Sequence, residues 1–221
     1  MRKKLVVSAT LLLAASLPWQ ANATTFDFSF AGPGVSGTVE LTYGAATDAK
    51  YPQAFEVTGI SGVFSDSNSG LNIVNAPIGQ LEPIKHDTPD STNLLAPHDF
   101  SRFAVAAGTA HGSLSYDNLF YPGSSPQTAS DYPLHGGFLD IYGLLFDIGG
   151  GRVVDVWSNG DLSGTGTGSI DYGVAVATPA AALDYVGGGV SVSPEPSALA
   201  LLGSGLLGML VWRRATRQRS L

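Results

Sequence analysis

Four histidines (His86, His98, His111 and His135) and many serines are the side chains from which a hydrolase triad is built. The sequence contains no G-x-S-x-G elbow. Gly123-Ser124-Ser125 lies between Pro122 and Pro126, without the strand–turn–helix setting that exposes a nucleophile. His86-Asp87 and His98-Asp99 pair imidazole with carboxylate, and Asp90 lies between them, a donor mixture that suits zinc, manganese or iron. Neighbouring residues on an extended chain point to opposite sides, and the spacing is not H-E-x-x-H, so these histidines are expected to be solvated loop residues. Asp66-x-Asn68-x-Gly70 has the donors that open a calcium loop. Its glycine comes one place early, however, and Pro77 stands where the closing glutamate belongs, so a plain turn is expected.

Sugars stack on exposed aromatic rings beside amides and carboxylates. The segment Tyr116-Asp117-Asn118-Leu119-Phe120-Tyr121 offers that mixture, with Tyr116, Asp117, Asn118 and Tyr121 as the candidate glycan contacts. Trp157 has Asp155 on its strand face. The competing reading is that Phe120, Tyr142 and Trp157 fill a core. Glycoside cleavage would further need two carboxylates about 5 to 9.5 Å apart across a cleft, a distance no sequence fixes. No cofactor is expected.

These side chains belong to an acidic, cysteine-free chain. Residues 24–193 hold four basic residues (Lys50, Lys85, Arg102 and Arg152) against seventeen acids, a net charge of −13. Such a surface repels phosphate backbones, so a nucleic-acid partner is excluded. With no cysteine, a disulfide scaffold, a thiolate nucleophile and a sulfur-based zinc site are all excluded.

The elements that position these groups read as strands. Phe26, Phe28 and Phe30 alternate with Asp27 and Ser29; Val35, Gly37, Val39, Leu41 and Tyr43 alternate with Ser36, Thr38, Glu40 and Thr42. Each run gives one apolar and one polar face. Further strands are expected over 55–64, 112–120, 138–148, 152–157 and 169–176, with weaker ones at 183–186 and 190–192. Gly149-Gly150-Gly151 closes a hairpin, Asp66 to Gly70 makes a turn, and Ser158-Asn159-Gly160-Asp161 makes the next reversal. Residues 101–110 suit a short turn of helix. The proline-broken stretches 82–98 and 121–133 read as long excursions. The fold class is therefore all-β, a single β-sandwich or jelly-roll-like domain over residues 24–187, followed by a flexible linker at 188–193.

The ends carry the clearest signals. Arg2, Lys3 and Lys4 precede an apolar run over 5–17, and Ala21-Asn22-Ala23 is an A-x-A cleavage pattern, so residues 1–23 read as a signal peptide cut by signal peptidase after Ala23. At the other end Pro194-Glu195-Pro196 precedes an apolar run over 198–212, followed by Arg213 and Arg214. As a helix that run reaches about 22 Å, less than the ~30 Å hydrocarbon core. The arginines act as a cytoplasmic stop-transfer cluster, leaving Pro194-Glu195-Pro196 outside as an extended, exposed peptide.

The segment SPEPSALALLGSGLLGMLVWRR resembles the PEP-CTERM sorting signal of Gram-negative bacteria. The resemblance rests on three parts in fixed order: the Pro-Glu-Pro tripeptide, the Gly/Leu-rich apolar run and the basic cluster. It implies that residues 194–221 are a sorting signal recognised through Pro194, Glu195 and Pro196 by exosortase, a membrane transpeptidase. The protein would pass through transient inner-membrane anchoring to the cell surface or matrix of an organism that secretes exopolysaccharide. The pieces FSFAGPGVSGTVEL, VTGISGVFSD, YDNLFYP and GLLFDIGGGRVVDVWSNG are similar to PEP-CTERM exoproteins of no assigned activity. The expected role is structural or adhesive, in a biofilm or exopolysaccharide setting and without catalysis. The alternative is a carbohydrate-binding or carbohydrate-cleaving exoprotein.

Overall fold

The computed structural model describes residues 23–84, 104–105 (backbone only), 114–126, 135–164, 168–178 and 181–195. They form eleven strands: β1 (Thr24–Gly32), β2 (Val35–Thr47), β3 (Phe55–Asp66), β4 (Ile73–Ile78), β5 (Ala104–Val105), β6 (Ser115–Tyr116), β7 (Leu119–Phe120), β8 (Leu144–Asp147), β9 (Val153–Asp161), β10 (Ile170–Thr178) and β11 (Ala181–Pro194). The all-β expectation holds.

One antiparallel sheet runs β4-β3-β2-β1-β11-β10-β9-β8, with β7 paired to the start of β3. Its two ends meet. Gly79 and Glu82, just past β4, donate to the β8 carbonyls of Asp147 (2.9 Å) and Leu145 (2.8 Å), the Asp147 amide returns a bond to Gln80, and Leu81 bridges Phe146. The sheet is thus a nearly closed, sandwich-like barrel. Within the sheet β1 to β4 and β8 to β11 each run in chain order, and the two runs join where β1, the first strand, pairs with β11, the last.

The alternating runs explain the interior. Phe28, Phe30, Val39, Leu41 and Phe64 point inward and meet Val154, Val156, Val174 and Val176 from the opposite wall. Each large apolar side chain buried there stabilises by roughly 1.5–3 kcal/mol. Aromatic rings close one end of the barrel: Phe138 lies 4.9 Å from both Phe26 and Phe28, and Phe26 lies 4.7 Å from Phe120. On the outer face of β8–β10, Leu145, Trp157, Ala175 and Ala177 pack under Leu114, Tyr116, Ile141 and Tyr142 in a second apolar layer. These three strands are therefore buried on both faces and show less alternation than β1 and β2.

Several local expectations need correction. Ser158 to Asp161 do not reverse the chain: they continue β9, and the reversal follows at Leu162 to Gly164. Residues 188–193 are not a linker but part of β11, and Ser191, Val192 and Ser193 pair with Ala31, Phe30 and Ser29. The 138–148 run is a strand only from Leu144, and 112–120 is broken into β6 and β7. Ala104 and Val105 lie in a strand rather than a helical turn, while the rest of 101–110 lies outside the described residues. β4 was not anticipated. The hairpin at Gly149-Gly150-Gly151 forms between β8 and β9, and all three glycines have positive φ (81°, 67° and 69°).

Candidate sorting-signal site

The barrel seam carries the tripeptide. β11 pairs with β1 through Ala31–Ser191, Phe30–Val192, Ser29–Ser193 and Phe28–Pro194, and the Glu195 amide then donates to the Asp27 carbonyl at 2.9 Å. That bond puts Asp27 and Glu195 at a hydrogen-bonded position of the ladder, so Pro194 falls at a non-bonded one and its missing N–H breaks no bond to β1. On the other side, the pairing of β10 with β11 reaches only Tyr172–Val190. Beyond Val190 the last strand is thus held from one side alone among the described residues, which permits a proline there.

Alternation then sends Pro194 and Glu195 to opposite faces. Pro194 lies on the side of Phe28, beside a groove of about 600 Å3 lined by Phe26, Phe138, Ile170, Tyr172, Val192 and Pro194, with no charged side chain in its walls. Glu195 lies on the other face, where it shares a shallow depression with Asp27, Thr38 and Glu40. Asp27 and Glu40 are direct partners on β1 and β2. Three carboxylates thus sit together on neighbouring strands, and like charges facing across strands destabilise a sheet. Pro194 and Glu195 are exposed, as expected of a peptide offered to an enzyme, and Ala23 is exposed just ahead of β1. Pro196, Arg213, Arg214, Ala21 and the apolar run 198–212 lie outside the described residues. Among the described residues no helix is long and apolar enough to cross a membrane.

The glycan contacts read from the sequence are corrected by burial. Tyr116 and Tyr121 are 0 % and 1 % exposed, and Asp117 and Asn118 are 6 % and 7 % exposed, so neither ring is available to stack on a sugar. Their polar groups hold the barrel closed. Asn118, at φ 54°, accepts from the Leu145 amide (3.0 Å) and donates to the Glu82 carbonyl (2.9 Å), bridging the two ends of the sheet. The Tyr116 hydroxyl donates to the Pro83 carbonyl (2.8 Å), and the Tyr121 hydroxyl donates to Asp140 (3.0 Å). Phe120, Tyr142 and Trp157 are core side chains. Sequence reasoning found this segment by its composition and missed its role, because no local signal reports a bridge to residues 82 and 145.

The remaining candidates resolve similarly. Asp66 and Asn68 form a turn: Asp66 accepts from the Asn68 amide (2.7 Å), and the Asn68 side chain donates to Pro33 (2.8 Å) and Asp184 (2.9 Å). Burial raises the Asp66 pKa above the ordinary carboxylate value, with the facing Asp184 carboxylate adding to the shift. Among the described residues no group of three or more His, Asp or Glu side chains is arranged to hold a metal ion. His86, His98, His111, Asp87, Asp90 and Asp99 lie outside them, and His135 is exposed. Ser125 is buried and donates to the Gly136 carbonyl at 2.8 Å, which gives it a structural role.

Two groups in the core have displaced titrations. Asp155 is fully buried with no hydrogen-bond partner on either oxygen among the described residues; burial first, then the Asp140 charge, raises its pKa well above the ordinary value. Asp140 itself accepts from the Tyr142 and Gly143 amides and the Tyr121 hydroxyl. Tyr172, lining the groove beside Pro194, is pushed up to about 12 by burial, against a hydrogen bond with the Phe138 backbone that lowers it.

Residues 194–215 match the PEP-CTERM protein-sorting motif. The chain carries an exosortase sorting signal. No curated protein and no solved structure matches the chain. The PEP-CTERM motif starts at Pro194, the last residue of β11, so signal and barrel share a residue with no spacer between them. The motif marks an exported protein that resides transiently at the membrane and is sorted by exosortase toward the cell surface.

Proposed function

We propose that this chain is a surface or matrix protein of a Gram-negative envelope, structural or adhesive within exopolysaccharide and without catalysis of its own. Signal peptidase frees Thr24 and exosortase then acts at Pro194-Glu195-Pro196. The observation that carries the reading is the motif match over 194–215, continuous with an exposed strand end. The closed wall and side-chain-filled interior support a load-bearing module, since the apolar volume is occupied by Phe28, Phe64, Phe146 and their neighbours.

The test is mass measurement of the protein extracted from cells with and without the exosortase gene. The expected C-terminus lies within or next to the tripeptide when the enzyme is present, and at Leu221 when it is absent. An intact Leu221 in both strains defeats the sorting reading.

One feature favours carbohydrate contact as a second reading. A cleft of about 380 Å3 has Asp48, Glu56 and Glu82 in its lining, carboxylates that suit the hydroxyls of a neutral glycan. Retention on the host polysaccharide without release of reducing ends supports an adhesive module. Release supports an enzyme, and no retention leaves the structural role.

A further inference from the structure

We infer that the end of the barrel at which β11 finishes is a membrane-contact surface, seated on phospholipid headgroups with Leu162 as its apolar foot. The partner is a bilayer, and the inference rests on the sorting reading for bringing the chain to one.

Strand direction assembles this surface. β1 and β10 start, and β9 and β11 finish, at the same end, because Asp161 pairs with Ile170, Tyr172 with Val190 and Phe28 with Pro194. The connecting segments are tied into one rim there. The Ser125 amide donates to the Gly137 carbonyl and the Asp161 amide to the His135 carbonyl, both at 2.9 Å. Gly136 lies so close to Ile170 that a Cβ there would collide with it.

Three observations fit a bilayer to this rim. The first is charge. Residues 24–193 carry seventeen acidic and four basic side chains, yet the described residues 122–126, 135–139, 162–164, 168–170 and 191–194 include no Asp, Glu, Lys or Arg. An anionic leaflet repels the acidic remainder and leaves the rim as the side that can approach it. The second is apolar exposure. Leu162 is 61 % exposed and follows Asp161, the partner of Ile170. Ile170 in turn lines the uncharged groove of about 600 Å3 with Phe26, Val192 and Pro194. A lone exposed leucine is ordinary, whereas one continuous with an uncharged groove makes a patch that suits the headgroup–acyl boundary.

The third observation is the tether. Pro194 is in the groove wall, and only Pro196 and Ser197 separate Glu195 from the apolar run 198–212. Two residues reach at most about 7 Å, so a signal held at the membrane brings this end of the barrel to the lipid. The opposite end, with Asp66 and the exposed Val74, stays remote. Seating on the headgroups then fixes the barrel's orientation and sets the end of the β1–β11 seam where a membrane enzyme works.

The chain has no cysteine, so a single introduced thiol reports alone. Full-length protein from a host without exosortase carries a fluorophore on Leu162→Cys or Gly123→Cys at the rim, or on Val74→Cys as the control. Gly123 has open space for a side chain, and Val74 is 70 % exposed at the far end. Each protein is mixed with phosphatidylethanolamine–phosphatidylglycerol vesicles containing a lipid spin-labelled at its headgroup, and quenching and flotation are measured. Quenching at 162 and at 123 is expected to exceed that at 74 at least about threefold. In the Gly123→Cys protein, adding Leu162→Asp is expected to lower quenching at least about twofold. Equal quenching at 162 and 74 overturns the proposal, as does a signal at 123 that Leu162→Asp leaves unchanged. Protein that floats without quenching at the rim, or that does not float, overturns it too. Failure of the sorting reading shows separately, as an intact Leu221 in the strain that has exosortase.

Discussion

The amide of Glu195 donates to the carbonyl of Asp27 at 2.9 Å, joining the middle residue of the sorting tripeptide to the first strand of the barrel. The same pairing brings the Glu195 carboxylate beside Asp27, which already faces Glu40 on β2. The backbone holds the peptide while the side chains repel it. Replacing Asp27 by Asn removes the shared negative charge and keeps the backbone bond. Each relieved cross-strand repulsion is worth a few tenths of a kcal/mol, so thermal melts are expected to rise by roughly 1–3 °C. Release of the C-terminal fragment in cells is expected to slow, because the tripeptide leaves the sheet less readily. A faster release would mean that Asp27 holds Glu195 in place.

Asn118 closes the barrel with its side chain where a direct ladder bond is missing: the Leu145 amide meets its carbonyl oxygen, and its amide meets Glu82. Asn118→Ala leaves a buried N–H and a carbonyl without partners, at a cost of about 1–3 kcal/mol for the unsatisfied donor. Denaturant melts are expected to shift to lower midpoints. Amide exchange is expected to quicken first in β8 and the 79–82 segment, the two sides of the closure. A global loss of protection with no local bias would count against a closing role.

Residues 116–121 show where legibility in the sequence ended. Composition marks them as a chemically rich patch, but their partners are Glu82, Pro83, Asp140 and Leu145, reached only through the fold. β1, β2 and the glycine-closed hairpin were readable because alternation and positive-φ glycines are local signals. β9 past Trp157 was not. Ser158-Asn159-Gly160-Asp161 has turn composition, yet Asn159 is satisfied inside the sheet by Trp157, Asp171 and Gly187. Residues 188–193, which open on Gly188-Gly189, read as a linker for the same reason, although β11 continues through them into pairing with β1. The sorting tripeptide was fully legible in sequence. Its attachment to the barrel was not, because register is a property of two strands.

Asp155 is a buried carboxyl with both oxygens unpartnered among the described residues, set between Leu145 and Ala175 on neighbouring strands. Its folded-state pKa is raised, so the folded protein binds the proton more tightly than the unfolded chain. The stabilising contribution is fully present below the unfolded value of 3.8 and is lost as pH rises from there through the folded-state pKa. Asp66 is shifted in the same direction and adds to that slope. Asp155→Leu removes the titration and replaces an unpaired polar group with an apolar one of similar volume. Melting temperature at pH 7 is expected to rise, and the fall in stability between pH 4 and pH 7 to flatten. A variant less stable than the parent at pH 7 would show that the carboxyl has a partner whose loss matters more.

The absence of a spacer between barrel and signal leads to a kinetic prediction. Ser191 to Pro194 are paired with β1, and only Pro196 and Ser197 separate Glu195 from the apolar run. An enzyme seated at the membrane must therefore approach a peptide still attached to a folded domain. Two intervening residues span at most about 7 Å, no more than the ~5–7.5 Å of one polar headgroup layer, so the chain has no slack there. Opening the last ladder positions is then part of the reaction path, and its equilibrium lowers the population of peptide the enzyme can grip. Six Gly/Ser residues inserted between Ser193 and Pro194 give about 20 Å of free chain and move the intact motif clear of β1. Pulse-chase of the inserted and parent chains in the same cells measures loss of the C-terminal fragment. The inserted chain is expected to be processed several-fold faster, with the barrel's melting temperature little changed. An equal rate would place the slow step after the peptide has left the sheet, and a slower one would mean that exosortase reads the barrel edge together with the tripeptide.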